Sequence, residues 1–102
     1  DGNDWVIIKL GKSIELEEII INTQHFIGNF PESCIIEGIN KPKATNLEVY
    51  KNKKWILIRD EYKLFSGHEH RITQFENDGK VSHIKISIIP DGGLSRIKII
   101  GK

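Results

Sequence analysis

The apolar positions along the chain fall at strand spacing. Trp5-Val-Ile-Ile-Lys-Leu10 is β-branched and aromatic and stops at Gly11, the pattern of a strand with a turn behind it. Leu16 to Asn22 follows the turn formers Lys12 and Ser13. Glu15, Glu17 and Glu18 would allow a short helix there, but the run Ile19-Ile20-Ile21 favours an extended chain. Gly28-Asn-Phe-Pro31 reads as an ordered connection, because Pro31 lacks an N–H and restricts the residue before it. Cys34 to Gly38 predicts a strand and Asn40 to Lys43 a loop. Leu47 to Tyr50 predicts a short strand or an irregular stretch. Lys54 to Arg59 reads as a strand, and Lys63 to Phe65 as a short extended piece before a Ser66–Gly67 turn. His70 to Phe75 alternates, and Asn77-Asp78-Gly79 is a strong turn signal. Val81 to Ile88 is the clearest strand, with Val81 and His83 on one face and Ile84, Ile86 and Ile88 on the other. Pro90 to Gly93 reads as a tight turn and Leu94 to Ile100 as the closing strand.

Short strands separated by turns, with no long amphipathic helix, predict an all-β fold: an antiparallel sandwich or jelly roll. A parallel α/β domain would need crossovers of about a dozen residues or more, and none is legible. Trp5 and Trp55 are expected to pack inside the sandwich.

The chain has 102 residues, which suits one domain, residues 1–102. A net charge of +1 gives no general pull on nucleic acid or acidic membranes, so neither is expected as a partner. The lysines at 51, 53 and 54 read as a solvated loop. No apolar run approaches the roughly 20 residues of a membrane span, and no signal peptide opens the chain. The single Cys34 rules out an internal disulfide and favours a reducing, cytoplasmic location. Flanked by Ile35 and Ile36, it reads as a buried small hydrophobe rather than a catalytic thiol. The abrupt opening Asp1-Gly-Asn-Asp4 leads to the expectation of a missing upstream segment.

Three stretches carry a family likeness: Asp4-Trp-Val-Ile-Ile-Lys-Leu-Gly11, His25-Phe-Ile-Gly-Asn-Phe-Pro-Glu-Ser-Cys-Ile-Ile-Glu-Gly38 and Ile89-Pro-Asp-Gly-Gly-Leu-Ser-Arg-Ile-Lys-Ile-Ile-Gly101. In that order and spacing they resemble the allantoicase repeat, most closely the second of the two repeats in whole allantoicases. The match thins from Ile39 to Gly79. The resemblance implies a galactose-binding-like jelly roll and one repeat of a longer two-repeat chain. It implies a hydrolase of purine and ureide degradation that converts allantoate to ureidoglycolate and urea. The substrate would be a small molecule, and no cofactor and no metal is expected. Whether the protein forms a homo-oligomer stays open. The alternative is a non-catalytic galactose-binding-like repeat, binding or structural, because fold alone does not fix function.

Removing urea from allantoate requires a general acid at the leaving nitrogen and a cation for the carboxylate, a task suited to the arginine fork. The catalytic candidates are His25, Glu37 and His83; the substrate-binding candidates are Asn29, Asp91 and Arg96. Each has a plainer reading. His25 can fix its loop by hydrogen bonding, and Asn29 can hold a left-handed turn. Glu37 can orient His25 or sit as an exposed strand carboxylate. His83 can line a site or be a half-exposed strand residue. Asp91 fits an Asx turn, and Arg96 can pair with it. His68 and His70 alternate and could share one ion, but a zinc site needs a third protein ligand that spacing does not supply.

Overall fold

A computed structural model describes residues 4–23, 33–52, 54–89 and 96–102. These form seven strands and one short helix: β1 (Asp4–Ile14), β2 (Leu16–Asn22), β3 (Ser33–Ile39), α1 (Asn46–Lys51), β4 (Ile56–Lys63), β5 (Glu69–Ile72), β6 (Val81–Ile89) and β7 (Arg96–Gly101). Two sheets of order β1-β6-β3-β4 and β5-β2-β7 face one another, and every strand pairing is antiparallel. The all-β sandwich expected from the sequence is the fold observed.

Strand alternation builds the core. Ile19 and Ile21 of β2 have no exposed surface, nor do Ile36 of β3, Ile72 of β5, and Ile84 and Ile86 of β6. With Cys34, Ile58, Leu64 and Val81 they form one cluster between the sheets. Burying an isoleucine contributes roughly 1.5–3 kcal/mol, so this row outweighs the ion pairs on the surface.

Four expectations are corrected. Gly11 does not stop the first strand. It takes φ +86 where the β1–β6 register shifts between Lys9 and Ile14, so the glycine serves a bulge and β1 continues to Ile14. Leu47 to Tyr50 is helical: Thr45 and Glu48 form a reciprocal capping box, with bonds of 2.8 and 3.2 Å, and this start signal outweighs the β-branched content. The strand expected over His70–Phe75 is β5, Glu69–Ile72, because the Glu76 N–H bonds the Ile58 carbonyl at 2.7 Å and draws the chain toward β4. Trp5 is not a core residue. It is 45% exposed and stacks on Tyr50 with ring centroids 4.8 Å apart.

The six connections divide three and three between the two ends of the sandwich. β2 leads to β3, β4 to β5 and β6 to β7, each passing from one sheet to the other. All three leave and re-enter at the same end. Ser33 is in register with both Ile89 and Lys63, and Asn22 with both Glu69 and Arg96. At the opposite end lie the β1–β2 corner, the α1 segment and the 73–80 connection. No helix among the described residues is long and apolar enough to cross a membrane.

Candidate functional site

The crossover end is held by a polar hub. Thr23 follows the last residue of β2 and is fully buried. Its hydroxyl proton is shared between the Phe65 and His68 carbonyls, at 2.5 and 3.1 Å, and its oxygen accepts from the His68 N–H at 3.1 Å. Backbone bonds from Thr23 N–H to the His68 carbonyl (2.9 Å) and from Gly67 N–H to the Thr23 carbonyl (3.1 Å) complete the clamp. Buried polar groups are retained only when so matched, and here the matching fixes the 64–68 connection against the exit of β2.

His70 belongs to the same hub. Its Nδ1 faces the Ile21 carbonyl at 3.1 Å, so it carries the proton, while Nε2 accepts from the Phe65 N–H at 2.9 Å. Both ring nitrogens are therefore used. The His68–His70 chelate weighed from the sequence does not form, although the two rings are 5.8 Å apart. Among the described residues, no group of three or more metal-binding side chains occurs.

On the outer face of the three-stranded sheet, Ile20, Asn22, Glu69, Arg71, Arg96 and Lys98 line a shallow depression of about 260 Å³. Arg71 is committed to Glu18 through bonds of 2.8 and 3.2 Å. The hydrogen-bonded Arg71 guanidinium holds the Glu18 carboxyl below the usual carboxylate range against the opposing effect of desolvation, with Lys98 adding to the lowering. Arg96 is exposed and forms no salt bridge among the described residues.

Glu37 and His83 lie elsewhere, on the outer face of the four-stranded sheet. Glu37 is half-buried, across the ladder from Lys85, whose Nζ is 3.8 Å from its carboxylate and 5.7 Å from the Trp55 ring centre. It stands four residues from Ser33, about 13 Å along the strand at the usual rise. His83 is six residues from Ile89, about 20 Å from the crossover end. Contrary to the half-exposed reading, His83 is fully buried, because the segment after β3 folds over its face. The Lys41 N–H bonds Ser82 Oγ at 2.7 Å, and Ser82 Oγ meets His83 Nδ1 at 2.8 Å. His83 Nε2 is buried without a hydrogen-bond partner at normal distance. Burial pushes its pKa below the ordinary histidine value, Lys9 adds to this, and the nearby Ala44 backbone opposes it.

The candidates therefore separate. Arg96 stands at the crossover end; Glu37 and His83 do not. His25, Asn29 and Asp91 lie outside the described residues, but the strand ends flanking their segments, Asn22 with Ser33 and Ile89 with Arg96, all belong to the crossover end. Cys34 is buried in the core as expected, and burial pushes its thiol up to about 12. Sequence reasoning passed over Thr23 and Phe65 as site components and weighed His68 only as a metal ligand with His70. The Ser66–Gly67 turn marked their connection without showing which end it closes.

This architecture defines a class: an antiparallel galactose-binding-like sandwich, with three of its inter-sheet connections at the end where β2 exits. The profile described as Allantoicase repeat matches residues 1–102, and the chain belongs to the allantoicase family. It is 39% identical over 103 residues to a "Probable allantoicase" of Pseudomonas fluorescens, covering 99% of this chain and 31% of that protein. A "Probable allantoicase" of Acinetobacter baumannii is 40% identical over 106 residues, with the same shares covered. The crystal structure of allantoicase from Saccharomyces cerevisiae superposes with a TM-score of 0.78 at 35% identity, over 98% of this chain and 28% of that one. A chain from Clostridium perfringens matches at TM-score 0.67 and 17% identity, covering 100% of this chain and 71% of that one, a likeness of fold alone. The chain thus spans about a third of the length of the curated relatives it matches, 31%.

Proposed function

We propose that the protein bearing this chain hydrolyses allantoate to ureidoglycolate and urea, and that the crossover end of this repeat contributes to the site. The observation carrying this reading is that three inter-sheet connections leave and re-enter at one end, where β3 and β7, the described strands of the two long family motifs, begin. In the reaction, water adds its oxygen to the central carbon, the bond to one ureido nitrogen breaks, and a proton reaches that nitrogen. His25 is assigned as the general acid. Arg96 binds the substrate carboxylate, and Asn29 and Asp91 hold ureido groups. Glu37 and His83 are assigned to the sheet face, where Lys85 and Ser82 engage them, rather than to chemistry. A reducing, cytoplasmic setting suits the lone buried thiol of Cys34.

The test is urea release from allantoate by the full-length protein. His25→Ala is expected to lower kcat by roughly 100- to 10,000-fold, the range of general acid catalysis. Arg96→Ala is expected to raise KM by roughly 10- to 100-fold, through loss of a charge-assisted pair. Absence of urea from folded full-length protein would sink the reading. A rise in melting temperature with allantoate but without turnover would assign a binding module instead.

A further inference from the structure

The 64–68 connection is the one crossover loop whose side chains are all described, and none of the three family motifs includes it. It places two ring side chains at the crossover end with different fates. His70 is enclosed and has both nitrogens satisfied. His68 is exposed, and only its Nδ1 is engaged, at 2.7 Å from the Ser66 carbonyl.

A carbonyl can only accept, so Nδ1 carries the proton, and in the neutral ring the lone pair stands on Nε2. An imidazole fixed through one nitrogen and open at the other is an oriented acceptor. The orientation is reinforced from both sides. The His68 backbone is joined to Thr23 by three hydrogen bonds, and its ring lies 5.8 Å from that of Phe65, itself 55% exposed. Phe65 thus gives the imidazole an apolar ring neighbour that limits its rotation.

The position matches the chemistry. His68 precedes Glu69, and Glu69, Asn22 and Arg96 form one row across β5, β2 and β7. His68 and Arg96 thus stand at the same end of the three-stranded sheet, about 10 Å apart in backbone position by two strand spacings, with Arg96 on the outer face beside Asn22 and Glu69 and the His68 ring on the side of His70.

We propose that His68 is a ligand-binding residue of the crossover end, its Nε2 accepting a hydrogen bond from a ureido N–H of the bound substrate. This rests on the assignment of that end to the allantoate site.

The probe is allantoate, titrated into full-length protein carrying 15N-labelled histidine. The His68 Nε2 resonance is expected to move and saturate with the ligand. His68→Ala is expected to raise KM about 3- to 10-fold, the worth of one neutral hydrogen bond, and His68→Gln, whose amide oxygen can accept, to return it to within about 2-fold of wild type. A stationary His68 resonance while other resonances saturate, or an unchanged KM in an active His68→Ala enzyme, overturns this assignment alone. A fall in melting temperature with unchanged KM would make His68 a loop support and overturn it as well. No response of any resonance and no urea release overturns it together with the functional reading beneath it.

Discussion

The two ends of the sandwich are closed by different means. At the crossover end, the 64–68 connection is fastened by hydrogen bonds through Thr23 and His70, and the side chains beyond that hub, Phe65, His68 and Arg96, are exposed. At the opposite end tight steric fit is added to hydrogen bonds such as those from the Lys41 N–H to Ser82 Oγ and from Asn77 Nδ2 to the Leu57 carbonyl. Gly101 pairs with Leu16, and a Cβ there would overlap the Glu15 carbonyl oxygen and come within 2.7 Å of Ile14 Cδ1. Gly38 is similarly confined: a Cβ there would come within 2.7 Å of Val81 Cγ1. His83 lies toward this end and is enclosed. A polar hub anchors backbone at the crossover end while leaving side chains outward, whereas the opposite end encloses His83 and presents a cleft of about 200 Å³ lined by Ile39, Ile56, Asp78 and Lys80 among others.

The comparison can be broken by substitution. The largest stability effect is expected for Gly101→Ala, on the order of 2–3 kcal/mol from overpacking against backbone that cannot move aside, read by urea denaturation. The surviving folded enzyme should keep its KM. Thr23→Val conserves shape but strips the hub of its hydroxyl, and about 2 kcal/mol is expected from buried groups left unpaired. Unlike Gly101→Ala it should also raise KM, since the 64–68 connection loses its clamp. Equal effects of the two variants on KM would erase the proposed distinction.

The smallest effect concerns acid. The lowered folded-state pKa of His83 means that at pH above the unfolded value of 6.5 both states are neutral and stability is undiminished. As pH falls below 6.5 the unfolded chain takes up a proton that the folded site resists, so stability declines until the folded histidine also titrates. His83→Gln should flatten this limb in melting temperature measured from pH 7.5 to 5. An unchanged limb would assign the acid sensitivity elsewhere.

Much of this architecture was legible in the residues. The Ile84–Ile86–Ile88 row and the Ile19–Ile21 pair identified inner faces, because alternation has only one period in a strand. The helix was missed although Thr45-x-x-Glu48 announced it, since the apolar residues at Leu47 and Val49 drew the reading to a strand. Gly11 read as a terminator because sequence does not distinguish a bulge from a turn. Among candidate residues, Arg96 is placed at the rim by its strand position. His83 could not be placed from alternation alone: the surface it faces is covered by the segment after Ile39, a contact across more than forty residues. The roles of Thr23 and His68 depend on which end of the sandwich their connection closes, and sheet order decides that.

The central claim is that ligand binds at the crossover end. Amide chemical-shift mapping of the full-length protein during allantoate titration addresses it most directly. The account predicts that the largest shifts within this repeat cluster at Asn22, Thr23, Ser33, His68, Ile89 and Arg96. Shifts centred on Lys9, Ile39, Ala44 and His83 would contradict it and move the site to the opposite end.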